Sequence, residues 1–283
     1  MRFGIHISVS GGLKKAVLRA AAVGCETIQI FSSNPMGWKI APLNPEDAAE
    51  FAATAEEKDI WPVVLHTPYL INLAAPDDEI LRKSRENLRA ALQRAEALGA
   101  PYVVTHVGSH KGSGMEAGIA KVLESIEIVL GSVENEVVLL LENNPGSGSE
   151  IGCSFEEFAK ILNALPEHES RLGVCLDTAH LWGAGYDIGT AEGAVATLEA
   201  FEAKVGLRWL YVIHANDSST KLNSHHDVHQ PPGQGLIGLE AFAALVNHPW
   251  LQDMPFILET PTQDMEKVAA ELALVRSLVR SEK

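Results

Sequence analysis

Gly173 to Gly185 reads GVCLDTAHLWGAG. An apolar run, Val174-Cys175-Leu176, ends at Asp177, and His180 follows three positions later. A carboxylate and an imidazole at this spacing, just past a strand-like run, are good ligands for a divalent cation. The spacing predicts a turn that feeds two neighbouring metal sites and then breaks into a Gly-rich loop.

The same arrangement recurs. His66, His106, Glu142, Asp177, His214 and Glu259 each close a short apolar run, with 35 to 45 residues from one to the next. Taken singly, such a histidine is an ordinary hydrogen-bonded residue, and such a carboxylate an ordinary helix cap or ion-pair partner. Six in succession would leave buried charge unpaired unless cations lie among them. Three more residues join by position: His180, and Asp227 and His229 in the loop SHHDVHQPPGQG. Asp-x-His can chelate one ion from two directions. The set holds five histidines and four carboxylates but no thiolate, which suits Zn²⁺, Mn²⁺ or Fe²⁺ better than Mg²⁺ or Ca²⁺. At three to four protein ligands per ion, it would serve two or three ions. His225 and His226 read as loop histidines without a ligand role, and His110, His168 and His248 as surface or helix-flank residues.

These residues need elements to bring them together. Strand-like runs fall at Arg2–Ser8, Thr27–Phe31, Pro62–His66, Tyr102–His106, Val137–Glu142, Leu172–Asp177, Trp209–His214 and Phe256–Glu259. Their Val, Ile and Leu content with little alternation fits parallel strands covered on both faces. Helix-period segments lie between them: Leu13–Val23, one opening at Asn44-Pro45, Glu79–Leu98, Met115–Leu130, one opening at Ser154, Thr190–Phe201, Gly238–Val246 and Gln263–Val279. Eight βα pairs without a linker predict an α/β chain with a single (β/α)₈ TIM barrel, one domain over 1–283. An open doubly wound sheet is the weaker fit, because Ser8-Val9-Ser10-Gly11-Gly12 does not match GxGxxG. In a barrel, all strand C-termini meet on one rim, so the six ligand-type residues converge.

The bulk numbers are compatible with this. Of 283 residues, 46% are hydrophobic and 21% charged, as in globular proteins. No apolar run reaches a membrane span, and MRFGIHISVSGG has no signal-peptide pattern. Cys25, Cys153 and Cys175 show no CxxC spacing, so no disulfide framework is expected and a reducing cytoplasm is the default. The net charge of −15 argues by itself against nucleic acid, but it omits bound cations.

Several blocks, in order, resemble the endonuclease IV family of apurinic/apyrimidinic endonucleases over nearly the whole length: GIHISVSGGL, HTPYLINLAAP, THVGSH, LLLEN, GVCLDTAHLWGAGYD, HANDS, DVHQPPGQGLIG and ILETP. The resemblance implies a barrel with three zinc ions. It places His66 and His106 on one ion, Asp177, His214 and Glu259 on a second, and Glu142 between these two. The third falls to His180, Asp227 and His229. It further implies a metal-dependent hydrolase of base-excision repair, cutting duplex DNA 5′ to an abasic site, leaving a 3′-hydroxyl and a 5′-deoxyribose phosphate, and trimming blocked 3′ ends. By the same resemblance, Glu142 is expected to be its catalytic carboxylate. Tyr69 and Leu70 match the family's inserted wedge pair, and Met36 stands where the family often has Arg. Gln230 and Gln234 replace a frequent His and Glu, outside the ligand set. Lys39, Lys111 and Lys221 are expected to extend a local positive crescent, and the enzyme is expected to act as a cytoplasmic monomer without membrane attachment. The rival enzyme reading is a single-metal sugar isomerase or epimerase using Glu142, Asp177, His214 and Glu259. The rival outside enzymes is a damaged-DNA binder with structural metals, which the lack of Cys ligands disfavours.

Overall fold

The apolar runs form strands and the amphipathic segments form helices, in strict alternation through most of the chain. The computed structural model describes residues 1–262 and 264–280. The order is β1 (Arg2–His6), α1 (Leu13–Ala22), β2 (Thr27–Phe31), α2 (Pro45–Glu57), β3 (Val63–His66), α3 (Asp78–Ala97), β4 (Tyr102–His106), α4 (Met115–Leu130), β5 (Val138–Glu142), α5 (Phe155–Asn163) and β6 (Leu172–Asp177). It continues with α6 (Thr178–Gly183), α7 (Ala191–Lys204), β7 (Leu210–His214), β8 (Asp217–Ser218), β9 (His229–Gln230), α8 (Leu239–Val246), β10 (Pro255–Leu258) and α9 (Met265–Ser277). The eight long strands close into a parallel barrel ordered β1-β10-β7-β6-β5-β4-β3-β2. The expected (β/α)₈ architecture is therefore present. The expected domain 1–283 and helix Gln263–Val279 include Gln263 and residues 281–283, which lie outside the described residues.

Capping explains several helix starts. Asn44 accepts from Glu46 N, Asp77 from Glu79 N and Ile80 N, and Ser154 from Glu157 N. The Asp77 cap moves the start of α3 one residue ahead of the expected Glu79.

Two cores divide the strand residues by parity. Val63, Leu65, Val103, Leu139, Leu141, Val174, Leu176 and Ile213 belong to the large cluster between barrel and helices. Val64, Val104, Val138, Leu140, Cys175, Val212 and Ile257 form a separate cluster inside the barrel. Side chains on one face of a strand recur every two residues. Stepping two residues from Val64, Val104, Leu140, Cys175, Val212 and Ile257 gives His66, His106, Glu142, Asp177, His214 and Glu259. Each of these six expected ligands is thus the next inward residue above the barrel's apolar filling.

Two local expectations change. The run after Asp177 is a short helix, α6, rather than a loop, because Asp177 Oδ1 accepts the His180 backbone N–H at 3.0 Å and caps it. The turn comes at Gly185, where φ is +99°, while a Cβ on Gly183 would meet Pro145 Cβ at 2.8 Å. The loop carrying Asp227 and His229 is partly ordered by an antiparallel pairing of β8 with β9, Asp217 opposite Gln230 and Ser218 opposite His229.

Candidate metal centre

Nine titratable side chains converge at the C-terminal mouth of the barrel. His66, His106 and Glu142 form one group of close donor atoms, Glu142, Asp177, His214 and Glu259 a second, and Asp177, His180 and His229 a third. Asp227 lies against the third, with Oδ2 3.2 Å from His180 Nε2 and Oδ1 2.9 Å from His229 Nε2. Glu142 joins the first two groups: Oε2 is 3.0 Å from His66 Nε2 and 3.6 Å from His106 Nε2, and Oε1 is 2.9 Å from His214 Nδ1. Asp177 joins the last two, with Oδ2 3.8 Å from His214 Nδ1 and 3.5 Å from His229 Nε2.

The histidines are held from behind. His66 Nδ1 lies 2.7 Å from Thr67 O, His106 Nδ1 2.8 Å from Asn144 Oδ1, and His180 Nδ1 2.8 Å from Asn143 O. His214 Nε2 lies 2.8 Å from Gln29 Oε1, and His229 Nδ1 3.3 Å from Glu259 O. Each acceptor is an oxygen that cannot donate, so each of these nitrogens carries the proton. The opposite nitrogen of every ring then faces carboxylate oxygens. A lone pair against a carboxylate is repulsive unless a proton or a cation intervenes. His180 Nε2 and His229 Nε2 are buried without a hydrogen-bond partner despite their short distances to Asp227. They approach carboxylate oxygens without pointing at them, as donors converging on a common centre do. Imidazole held by a rear oxygen acceptor is the arrangement that metal-ligating histidine adopts. The donor set fits divalent metal ions on these grounds.

Protonation in the protein alone points the same way. Burial pushes the Glu142 carboxyl up, but His106 and His214 hold it well below the usual carboxylate range. Burial lowers His66, and the Glu142 carboxylate more than offsets this, so His66 ends above its ordinary value. Without ions, protons on the neighbouring imidazoles must offset the charge of the fully buried Glu142 carboxylate.

Residues that the strand-end pattern passed over complete the cluster. Asn143 accepts from Asp177 N at 2.6 Å, and Asn216 donates to Asp177 Oδ2 at 2.6 Å while accepting from Glu259 N at 2.7 Å. Asp217 is fully buried and collects five backbone N–H groups, those of Ser218, Gly233, Gly235, Ile237 and Gly238. A Cβ on Gly235 would sit 2.4 Å from Asp217 Oδ1, so only glycine allows that approach. His6 and Gln29 come from β1 and β2. His6 was readable by the same signal, since it too ends a strand; Gln29 was not, because glutamine is not a ligand type.

Of the expected DNA-facing residues, Tyr69 lines the mouth and Leu70 the adjoining groove. Tyr69 is 58% and Met36 73% exposed, and Leu70 is half-buried. The Tyr69 ring lies 5.3 Å from Phe31, 6.1 Å from His66 and 6.4 Å from His106, centroid to centroid. Its backbone N–H donates to Pro35 O at 3.2 Å, joining the two loops that carry Tyr69 and Met36. A groove of about 590 Å³ runs past Tyr69, Leu70, Lys111, His106, His180 and Asp227. Lys39, Lys111 and Lys221 are all exposed.

Residues 17–278 match the family described as xylose isomerase-like TIM barrel. The chain is 44% identical over 281 residues to the probable endonuclease 4 of Chloroflexus aurantiacus, covering 99% of this chain and 98% of that protein. It resembles the crystal structure of endonuclease IV from Thermus thermophilus with a TM-score of 0.87 and 37% identity over 98% of both chains. A D-tagatose 3-epimerase-like protein, at TM-score 0.73 and 19% identity over 98% of this chain and 99% of that one, shares the fold alone. The chain belongs to the endonuclease 4 family, within the xylose isomerase-like TIM barrels.

Proposed function

We propose that this chain is a metal-dependent DNA repair endonuclease that hydrolyses the phosphodiester 5′ to an abasic site in duplex DNA. The products are a 3′-hydroxyl and a 5′-deoxyribose phosphate, and blocked 3′ ends are trimmed by the same site. The observation that carries the reading is the joining of three donor groups through Glu142 and Asp177 in one barrel mouth. Relatives named endonuclease 4 support the reaction class.

Three zinc ions suit the donors. His66, His106 and Glu142 hold one. Glu142, Asp177, His214 and Glu259 hold the second. His180, Asp227 and His229 hold the third, with Asp177 beside it. Bound there, the ions supply charge neutralisation at phosphoryl oxygens and a nucleophile available at neutral pH. The protein residues do the rest. Glu142, kept ionised by its histidine neighbours, is the catalytic carboxylate in this reading and holds the first two groups at a fixed separation. The rear hydrogen bonds keep the imidazoles from turning. Tyr69, Leu70 and Met36 act as wedges that fill the gap in the base stack. An abasic nucleotide has no base to unstack, so its extrusion costs less than that of an intact one. Duplex DNA is held by a restricted positive crescent on an otherwise acidic protein. The enzyme works as a cytoplasmic monomer; among the described residues no helix is long and apolar enough to cross a membrane.

The test is a nicking assay on a duplex with one abasic-site analogue. Metal-loaded protein should cut 5′ to the lesion, and prolonged chelation or Glu142→Ala should abolish cutting. Metal-loaded wild-type protein that binds the duplex but leaves it intact would sink the reading. A single-ion sugar isomerase is the second reading, because Glu142, Asp177, His214 and Glu259 alone make a complete donor group. One bound ion per chain, rather than three, would favour it.

A further inference from the structure

Strands β1 and β2 contribute no expected ligand, yet they reach the same rim. Gln29 on β2 is fully buried there. Its Oε1 lies 2.8 Å from His214 Nε2, its Nε2 2.6 Å from Glu259 Oε1, and the same Nε2 2.9 Å from His6 Nδ1. One neutral amide thus touches two members of the Glu142, Asp177, His214 and Glu259 group, from a strand that pairs with neither β7 nor β10.

We propose that Gln29 is a positioning residue for this group: its amide dictates which His214 nitrogen carries the proton and which way Glu259 faces. The inference rests on the metal reading above. His214 Nδ1 looks at Glu142 Oε1 (2.9 Å), Glu259 Oε2 (3.3 Å) and Asp177 Oδ2 (3.8 Å). To serve an ion among these oxygens, Nδ1 needs its lone pair, so the proton belongs on Nε2. A buried N–H requires an acceptor, and Gln29 Oε1 is that acceptor. With the carbonyl so committed, the amide NH₂ points at Glu259 Oε1. This leaves Glu259 Oε2 turned toward His214 Nδ1. The flipped amide would set NH₂ against the Nε2–H and its oxygen against a carboxylate, so only one orientation satisfies both partners. His6 closes the remaining side, with Nδ1 3.1 Å from Glu259 Oε1 and its ring 4.2 Å from that of Phe31, centroid to centroid. Because the amide is neutral, it orders the two ligands without adding charge to the site.

The test compares metal-free wild type with Gln29→Leu and Gln29→Met; methionine keeps the side-chain length without either hydrogen bond. Zn²⁺ affinity is read by competition with a chromophoric chelator, ion number by elemental analysis, and site geometry by the visible spectrum of the Co²⁺-loaded protein. The His214 proton is located by long-range ¹H–¹⁵N NMR of the Zn²⁺-loaded protein. Wild type should show Nε2–H on His214. The variants should bind one ion about ten- to a hundred-fold more weakly, with a changed Co²⁺ spectrum and the other ions unaffected. A folded variant with wild-type affinities, spectrum and His214 proton position would overturn the inference and leave the metal reading intact. Wild type that bound no ion through His214 would overturn both, and would show this before any variant was compared.

Discussion

Asp177 caps the helical turn that carries His180. Its Oδ1 accepts the His180 backbone N–H at 3.0 Å, and its Oδ2 lies 3.5 Å from His229 Nε2 and 3.8 Å from His214 Nδ1. One carboxylate therefore sets the distance between the inner and outer donor groups and belongs to both.

Asp177→Asn should consequently deplete two ions, the one at His214 and Glu259 first and the outer one with it. His180→Ala should lose only the outer ion. Elemental analysis of the purified variants decides. Asparagine also cannot serve both the cap and the Asn216 amide, which donates to Oδ2 at 2.6 Å, so the metal-free variant should lose about 1–3 kcal/mol of stability.

Metal uptake should release protons and strengthen with pH. Burial lowers His180 and His229, but Asp177 and Asp227 outweigh it: His180 is held well above the ordinary imidazole value, and His229 is pushed up to about 9. At neutral pH the metal-free outer group is protonated, and an ion must displace those protons. Affinity there should rise about tenfold per pH unit for each proton displaced, and the His229 part of that rise should level above about pH 9. The metal-free fold should show the opposite trend. A raised histidine contributes its stability fully below the unfolded value of 6.5 and loses it as pH climbs through about 9. Chelator competition and thermal unfolding across this range read the two slopes separately.

Tyr69→Ala should leave the thermal midpoint unchanged, since the residue is largely exposed. Binding to an abasic duplex should weaken by about 1–3 kcal/mol, the usual worth of one aromatic stacking contact. Met36→Arg is the complementary change. If its side chain reaches a phosphate, the slope of log K against log salt should steepen by about 0.9. Fluorescence anisotropy at several salt concentrations measures both.

Asp217→Ala should unfold the loop over residues 231–238 and release the outer ion. Five backbone N–H groups lose their acceptor at once, at a cost of about 3 kcal/mol or more. β9, which carries His229, pairs with the strand that Asp217 opens. Urea denaturation and ion counting should move together. Wild-type stability with full ion content would show that the loop is held by other means.

Much of this was legible in the residues alone. Val, Ile and Leu runs ending in His, Glu or Asp recur once per βα unit, and a closed parallel barrel must bring those ends to one rim. Asn44, Ser154 and Thr190 announced their helices, because a cap is a local hydrogen bond between residues a few positions apart. Other features depended on the tertiary structure, because they arise between residues distant along the chain. Gln29 meets His214 across 185 positions and Glu259 across 230, and nothing near Gln29 in sequence marks it. The sharing of Asp177 between two groups follows from the β8–β9 pairing that holds His229, whose Nε2 lies 3.5 Å from Asp177 Oδ2. Periodicity of two fixes which face a side chain occupies, whereas only closure of the barrel decides which other side chain it meets there.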